Sequence, residues 1–390
     1  MFLPSDLSYI LTELAEEREN YFNAVSPPIM QTSNFTFKKV DDMRKAFADE
    51  MSGYLYSRGL NPTVEILRKK LAALDGAEDC LVFSSGAAAI FAGVLANVKA
   101  GDHVVSVRNP YTWAQRTFDV ILPRFGVTTT YIDGRNIKNL EAAIQSNTAL
   151  IYMESPNSWD YALQDIKAVA DLAKSKNILT MIDNSYCTPL YQRPIDQGVD
   201  LCMQTATKYI GGHSDTLGGV LSGSHQMVIR IFDSEFLNVG SGIQPFNAWL
   251  LLRGLRTLPA RIERITRSTI EVINFLKQHD KVENLIFPFD ESFPQFELAR
   301  KQMRGACGLF TFTIKNATCE SITRFCESLK HILMAVSWGG HESLIIPKCS
   351  GIDPKDFDAG NIEHRYIRLY VGLEDASYLI ADLNQALNLV

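Results

Sequence analysis

From residue 61 onward the apolar positions fall into a regular alternation of two periods. Val64, Leu67, Leu71 and Leu74 recur at helical spacing. Asn61-Pro62-Thr63 opens that helix, because Asn can cap and proline suits a first turn whose N–H has no intrahelical partner. Gly76 ends it. Residues 80–83, Cys-Leu-Val-Phe, then predict a short strand, 84–86 a turn and 87–98 a helix. Further short apolar strands are predicted at 103–107, 127–132, 149–154, 178–183 and 201–206, with helices between most of them. Such alternation predicts an α/β fold with a mostly parallel sheet covered on both faces.

The pattern differs at both ends. Residues 1–60 hold Pro27-Pro28 and several Asn, Ser and Thr, and predict a mostly extended arm with one N-terminal helix. Around 240–260 the alternation stops. A long helix is predicted over 245–279, then strands at 308–314, 334–338 and 366–371 and helices at 320–330 and 375–390. These make a smaller α+β domain. The expected division is an arm over 1–60, an α/β domain over 61–245 and an α+β domain over 246–390. No repeat of 20–50 residues interrupts this scheme.

Composition narrows the classes. With 46% hydrophobic and 21% charged residues in a chain of 390, the sequence is neither disordered, collagenous nor a disulfide scaffold. A net charge of -6 gives no general attraction to phosphate backbones or anionic lipid, so neither nucleic acid nor a membrane is an expected partner. No apolar run reaches the length of a membrane span. The first twenty residues lack a basic start and turn acidic, unlike a secretory signal. Seven cysteines, an odd number, predict free thiols and a cytoplasmic setting.

Common chemical signatures are missing: there is no GxxxxGK[ST], GxGxxG, HExxH, GxSxG or CxxC. No metal site is expected. The segment 178–222 carries more information. One predicted strand ends in Asp183, and a second ends in Thr205-Ala206-Thr207-Lys208. In an open α/β sheet the carboxyl ends of strands face the ligand crevice. A lysine there can form a Schiff base with an aldehyde cofactor, and a carboxylate can keep a pyridine nitrogen protonated. Taken singly, Asp183 is also a plausible turn residue and Lys208 a plausible surface lysine. Ser84-Ser85-Gly86-Ala87 joins a strand to a helix of small residues. That is a phosphate site, or an ordinary strand–helix turn.

These segments resemble the pyridoxal-phosphate (PLP) enzymes of transsulfuration: cystathionine β- and γ-lyases, cystathionine γ-synthase, methionine γ-lyase and O-acylhomoserine sulfhydrylase. The resemblance rests on Tyr56-Ser-Arg58-Gly-Leu-Asn61-Pro62-Thr63, on Ser84 through Ile90, and on Glu154-Ser155-Pro156. It continues through Ile182-Asp183-Asn184-Ser185-Tyr186, Ala206-Thr207-Lys208-Tyr209 and Gly212-His213-Ser214-Asp215. Arg253 through Leu258, Ser337-Trp338-Gly339-Gly340 and Arg368 through Asp375 complete it, in the family's order.

The resemblance implies the aspartate-aminotransferase-like fold type I, with a seven-stranded, mostly parallel sheet. It implies PLP carried by Lys208, which also moves the substrate Cα proton, and Asp183 paired with the pyridinium. It implies Ser85, Gly86, Ala87, Thr205 and Thr207 at the phosphate, with Tyr56 and Arg58 reaching the phosphate of a neighbouring subunit. Tyr111 would stack on the cofactor ring and handle a proton at the leaving group. Arg368 and Ser337 would hold the substrate carboxylate. A homo-oligomer, a dimer of dimers, follows from the same resemblance.

Substrate choice stays open at this level. Ser158, where many relatives have Asn, and Ser-Trp-Gly-Gly resemble bacterial cystathionine β-lyases. Arg116 resembles an arginine of cystathionine γ-lyases and γ-synthases that can meet a distal carboxylate. Val336 resembles the apolar residue of methionine γ-lyases and sulfhydrylases, while Trp113 departs from the methionine γ-lyase cysteine. The expected activity is carbon–sulfur elimination from cystathionine or a related amino acid to a 2-oxo acid, ammonia and a thiol. The alternatives are a γ-replacement synthase, methionine γ-lyase, or a non-catalytic protein that keeps the fold.

Overall fold

A computed structural model describes residues 4–390, so the first three positions of the predicted arm lie outside the described residues. The central sheet has seven strands: β1 (Asp79–Phe83), β2 (His103–Val107), β3 (Thr128–Ile132), β4 (Thr148–Glu154), β5 (Leu179–Asp183), β6 (Leu201–Thr205) and β7 (Gly219–Gly223). Their spatial order is β1-β7-β6-β5-β4-β2-β3. Only β7 runs against its neighbours, β1 and β6. The six strands expected from apolar runs are all present. β7 was not expected, because its sequence, Gly-Val-Leu-Ser-Gly, has two apolar residues and ends in glycines that weaken strand propensity.

The flanking helices follow their local signals. Asn61 accepts the Thr63 N–H at 3.0 Å, Pro62 sits in the first turn, and Gly76 closes the helix Pro62–Asp75 at φ +71°. Leu67, Leu71 and Leu74 on that helix are fully buried. The small-residue helix Gly86–Leu95 lies close on the sheet, and a Cβ at Gly93 would stand 2.9 Å from Met181 Cε.

A second sheet holds β8 (Val282–Ile286), β9 (Leu309–Ile314), β10 (Leu333–Met334), β11 (Leu344–Pro347) and β12 (Ile367–Tyr370), in the order β10-β11-β12-β9-β8. It is antiparallel except for the β10–β11 pair. β8 and β11 escaped the sequence reading because polar Glu283 and Asn284 interrupt the apolar run of β8 and β11 has only four residues.

Three expectations need correction. The arm has a second helix, Val40–Ala48, whose three large apolar residues sit among charged ones. The single helix expected over 245–279 is two, Pro245–Arg256 and Leu258–Gln278, divided at Thr257. Pro259 lacks the N–H that a continuous helix would need. The strand expected over 334–338 ends at Met334, and Ser337 has φ +83°, which no strand allows.

Candidate active site

The sheet gathers the candidate residues at one edge. Ser85 and Gly86 follow β1, Tyr111 follows β2, Glu154 ends β4, Asp183 ends β5, and Thr205, Thr207 and Lys208 close β6. Because β7 opposes both β1 and β6, all these strands run the same way, and their carboxyl ends share one crevice.

Ser85 caps the helix Gly86–Leu95, its Oγ accepting the Ala88 N–H at 3.2 Å. The amides of Gly86 and Ala87 lie in the first turn and have no preceding carbonyl to meet. A Cβ on Gly86 would sit 2.3 Å from Thr205 Oγ1, and one on Gly219 would sit 2.2 Å from Ser85 O. The helix end, the tip of β6 and β7 therefore interlock through glycines. The Thr205 hydroxyl makes only one long contact, 3.5 Å to the Gly218 carbonyl, while the Thr207 hydroxyl accepts the Gly218 N–H at 3.1 Å and lies 3.4 Å from the Gly218 carbonyl. A weakly held hydroxyl such as that of Thr205, beside a helix N-terminus, is suited to phosphate oxygens.

Lys208 Nζ donates to Ser337 Oγ and lies 5.4 Å from the Trp338 ring centroid. The Ser337 loop can come this close because Gly339, at φ +89°, lacks a Cβ that would stand 2.8 Å from Lys208 Cα. Burial lowers the Lys208 ammonium to about 8; Arg368 pushes it the same way and Asp183 opposes both. Asp183 is buried and accepts the Ser185 N–H at 2.9 Å. Burial raises its carboxyl, while Ser185 and Lys208 pull it back.

Glu154 stands directly opposite Asp183 in the β4–β5 register. Its two oxygens accept the N–H groups of Tyr111 at 2.6 Å and Ser158 at 2.9 Å. Burial and then Asp183 raise its carboxyl well above the ordinary range. Tyr111 is 41% exposed, and burial followed by Asp183 raises its hydroxyl, which stays protonated near neutral pH.

Arg368, on β12, donates from Nη1 to Ser158 Oγ at 3.0 Å, while its buried Nε has no partner. Coulombic contact with Lys208 places the guanidinium near the lysine. A neighbouring cleft of about 690 Å³ is lined by Thr207, Gln244, Val336, Ser337 and Trp338 among others. Val336 is 75% exposed.

Three candidates lie apart. Arg116 stacks on Trp113 at 5.6 Å on an exposed helical turn. Tyr56 and Arg58 meet each other at 5.6 Å on the exposed arm. No hydrogen bond or ion pair among the described residues ties any of them to Lys208. Conversely, sequence reasoning assigned no role to Glu154, Ser185, Trp159 or Arg261. Glu154 was within reach, since it ends a strand as Asp183 does. Arg261 is buried and holds the turn after Lys208 through the Tyr209 carbonyl at 2.7 Å; its spacing from Lys208 gives no local sign of that contact.

An L-methionine gamma-lyase of Treponema denticola is 37% identical over 95% of this chain and 94% of its own length. A cystathionine gamma-lyase of Macaca fascicularis is 36% identical over 96% of this chain and 91% of its own. The crystal structure of a protein described as an O-acetylhomoserine (thiol)-lyase of Campylobacter jejuni, containing a pyridoxyl-lysine phosphate, superposes with a TM-score of 0.92 at 28% identity, covering 98% of this chain and 99% of that one. The family of Cys/Met metabolism PLP-dependent enzymes matches residues 10–388. With the lysine, carboxylate and helix N-terminus converging as that cofactor requires, the chain belongs to this family of PLP-dependent enzymes.

Proposed function

We propose that the protein is a carbon–sulfur lyase that removes a thiol from a sulfur amino acid by γ-elimination, leaving 2-oxobutyrate and ammonia. The observation that carries this reading is the convergence at one crevice of Asp183 and Lys208 from the carboxyl ends of β5 and β6, Arg368 from β12 and Ser337 from the loop after β10. Bound PLP supplies an electron sink for the pair left at the substrate Cα. Asp183 would hold the ring nitrogen, and Gly86, Ala87, Ser85, Thr205 and Thr207 the phosphate.

The chain's own groups then divide the work. Arg368 and Ser337 bind the α-carboxylate, which fixes Cα beside Lys208. An amine held near 8 is a competent base close to neutral pH, so Lys208 would remove the Cα proton, hand it to the bound cofactor and then, a free amine again, remove one from Cβ. Tyr111, protonated, gives a proton to the departing sulfur. Val336 offers an apolar, exposed surface where the sulfur-bearing end would lie, and this supports an apolar end such as that of methionine.

Tyr56 and Arg58 are proposed to complete the phosphate site of a neighbouring subunit in a dimer of dimers. Their exposure supports this, as do Val40 and Phe47, left 66% and 65% exposed on the arm. The two sheets support the division at 61–245 and 246–390. A cytoplasmic location suits seven cysteines that are all unpaired. No helix among the described residues is long and apolar enough to cross a membrane.

The deciding experiment is the keto acid released by the holoprotein from methionine and from cystathionine. 2-Oxobutyrate supports the proposal. Pyruvate from cystathionine would mean β-elimination and give weight to Ser158 and Ser-Trp-Gly-Gly. Turnover of an O-acylhomoserine only with added thiol would establish γ-replacement, the second reading, which the named activity of the Campylobacter jejuni protein favours.

A further inference from the structure

We propose that Trp159 is a positioning residue for substrate binding: its indole face holds the Arg368 guanidinium ready for a carboxylate without using the guanidinium's N–H groups. The inference rests on the reading of Arg368 as the carboxylate receptor. Arg368 Cζ lies 4.8 Å from the Trp159 ring centroid. That is cation–π contact over the ring face, and the indole has no acceptor atom to take up the guanidinium's N–H groups.

The alternative way to hold a buried arginine is a carboxylate partner, and that partner would compete with the substrate. Among the described residues no Asp or Glu makes an ion pair with Arg368. One hydroxyl, Ser158 Oγ, takes Nη1 at 3.0 Å, and Nε is left unpartnered. The ring is itself held, with Lys348 Nζ 5.1 Å from the same centroid.

The loop that carries the ring is built for the purpose. Trp159 and Tyr161 both adopt left-handed backbone, at φ +72° and +53°. Bulky residues rarely do so, and such strain persists where surrounding contacts over-determine it. Here the Asn157 N–H donates to the Ala162 carbonyl at 3.0 Å, and Arg135 pairs with Asp160. Adjacent Ser158 and Trp159 thus grip the edge and the face of one guanidinium, and Glu154 fixes the loop by accepting the Ser158 N–H.

The test uses the holoprotein and two probes, L-methionine and its α-carboxamide, which lacks the carboxylate. Their binding is read by rapid mixing from the visible spectrum of the bound cofactor within the first turnover. Trp159→Leu, which keeps an apolar side chain but removes the π face, should weaken methionine binding and raise KM by about tenfold, with kcat within about twofold. Carboxamide binding should stay within about twofold of wild type, and Trp159→Phe should recover methionine binding to within about threefold. Unchanged methionine affinity in Trp159→Leu would overturn the inference, as would equal losses for acid and amide, or a fall in kcat alone. A wild-type protein that binds acid and amide equally would instead remove Arg368 from the carboxylate site, and the inference with it.

Discussion

Adding one methyl group at Gly86 should weaken both the fold and the hold on PLP. The Cβ of Gly86→Ala would stand 2.3 Å from Thr205 Oγ1, 2.7 Å from Thr205 Cβ and 3.4 Å from Thr205 Cα. Ordinary contacts begin near 3.4 Å, so the helix end must retreat by about 1 Å or Thr205 must turn away. At an unobstructed helical position the same change would stabilise by up to about 1 kcal/mol. Overpacking costs roughly 1–3 kcal/mol, which leaves the apoprotein destabilised by up to about 2 kcal/mol. Either relaxation also breaks the geometry between the helix amides and the Thr205 hydroxyl. Losing one charge-assisted hydrogen bond, worth roughly 1.5–3 kcal/mol, raises the PLP dissociation constant by about 10- to 150-fold. Urea unfolding of the apoprotein and equilibrium titration with PLP measure the two effects separately. An apoprotein at least as stable as wild type, with unchanged PLP affinity, would refute the reasoning.

Other consequences concern the charged groups. Burial holds Lys208 near 8 in the fold, below its ordinary 10.5, so the unfolded chain binds this proton more tightly. The wild-type apoprotein should therefore gain stability relative to Lys208→Met as pH rises from about 8 to about 10.5, and a difference that stays flat in urea titrations would contradict the burial argument. Glu154→Gln places an amide NH₂ against one of the two backbone N–H groups that the carboxyl now accepts. It should lower kcat/KM by about 5- to 150-fold while PLP stays bound, since a buried N–H left without its acceptor costs roughly 1–3 kcal/mol; unchanged kinetics would remove Glu154 from the site. Arg58→Ala should raise the PLP dissociation constant at least about tenfold, and an unchanged constant would count against a phosphate contact between subunits.

Much of the frame was legible because each signal is local. The apolar runs at 103–107 and 201–206 declare themselves as strands, and Asn61-Pro62 and Gly76 mark both ends of a helix. The strand sequence places Asp183 and Lys208 at carboxyl ends, and a parallel sheet brings such ends together. Where local signals were weak, the reading failed. β7 gains its strand conformation from two neighbours that pair along its whole length, which compensates for its glycines. Ser337 was placed in a strand because the residues before it are apolar; contact with Lys208 across 129 positions takes it into left-handed backbone instead.

Periodicity and punctuation, which act over a few residues, thus specify the α/β alternation, the helix caps and the carboxyl-end positions of Lys208 and Asp183. The motif resemblance adds the cofactor. What surrounds those two residues was decided by packing. Ser158 and Arg368 are 210 positions apart and meet only because the second sheet docks against the ends of β4 and β5. Glu154 joins two loops through backbone N–H groups that every residue type carries, so no residue type announces the contact. Trp159 covers Arg368 only because its loop takes a backbone turn that no local preference favours. Contacts of that kind depend on the sum of long-range burial and hydrogen bonding, which local patterns do not encode.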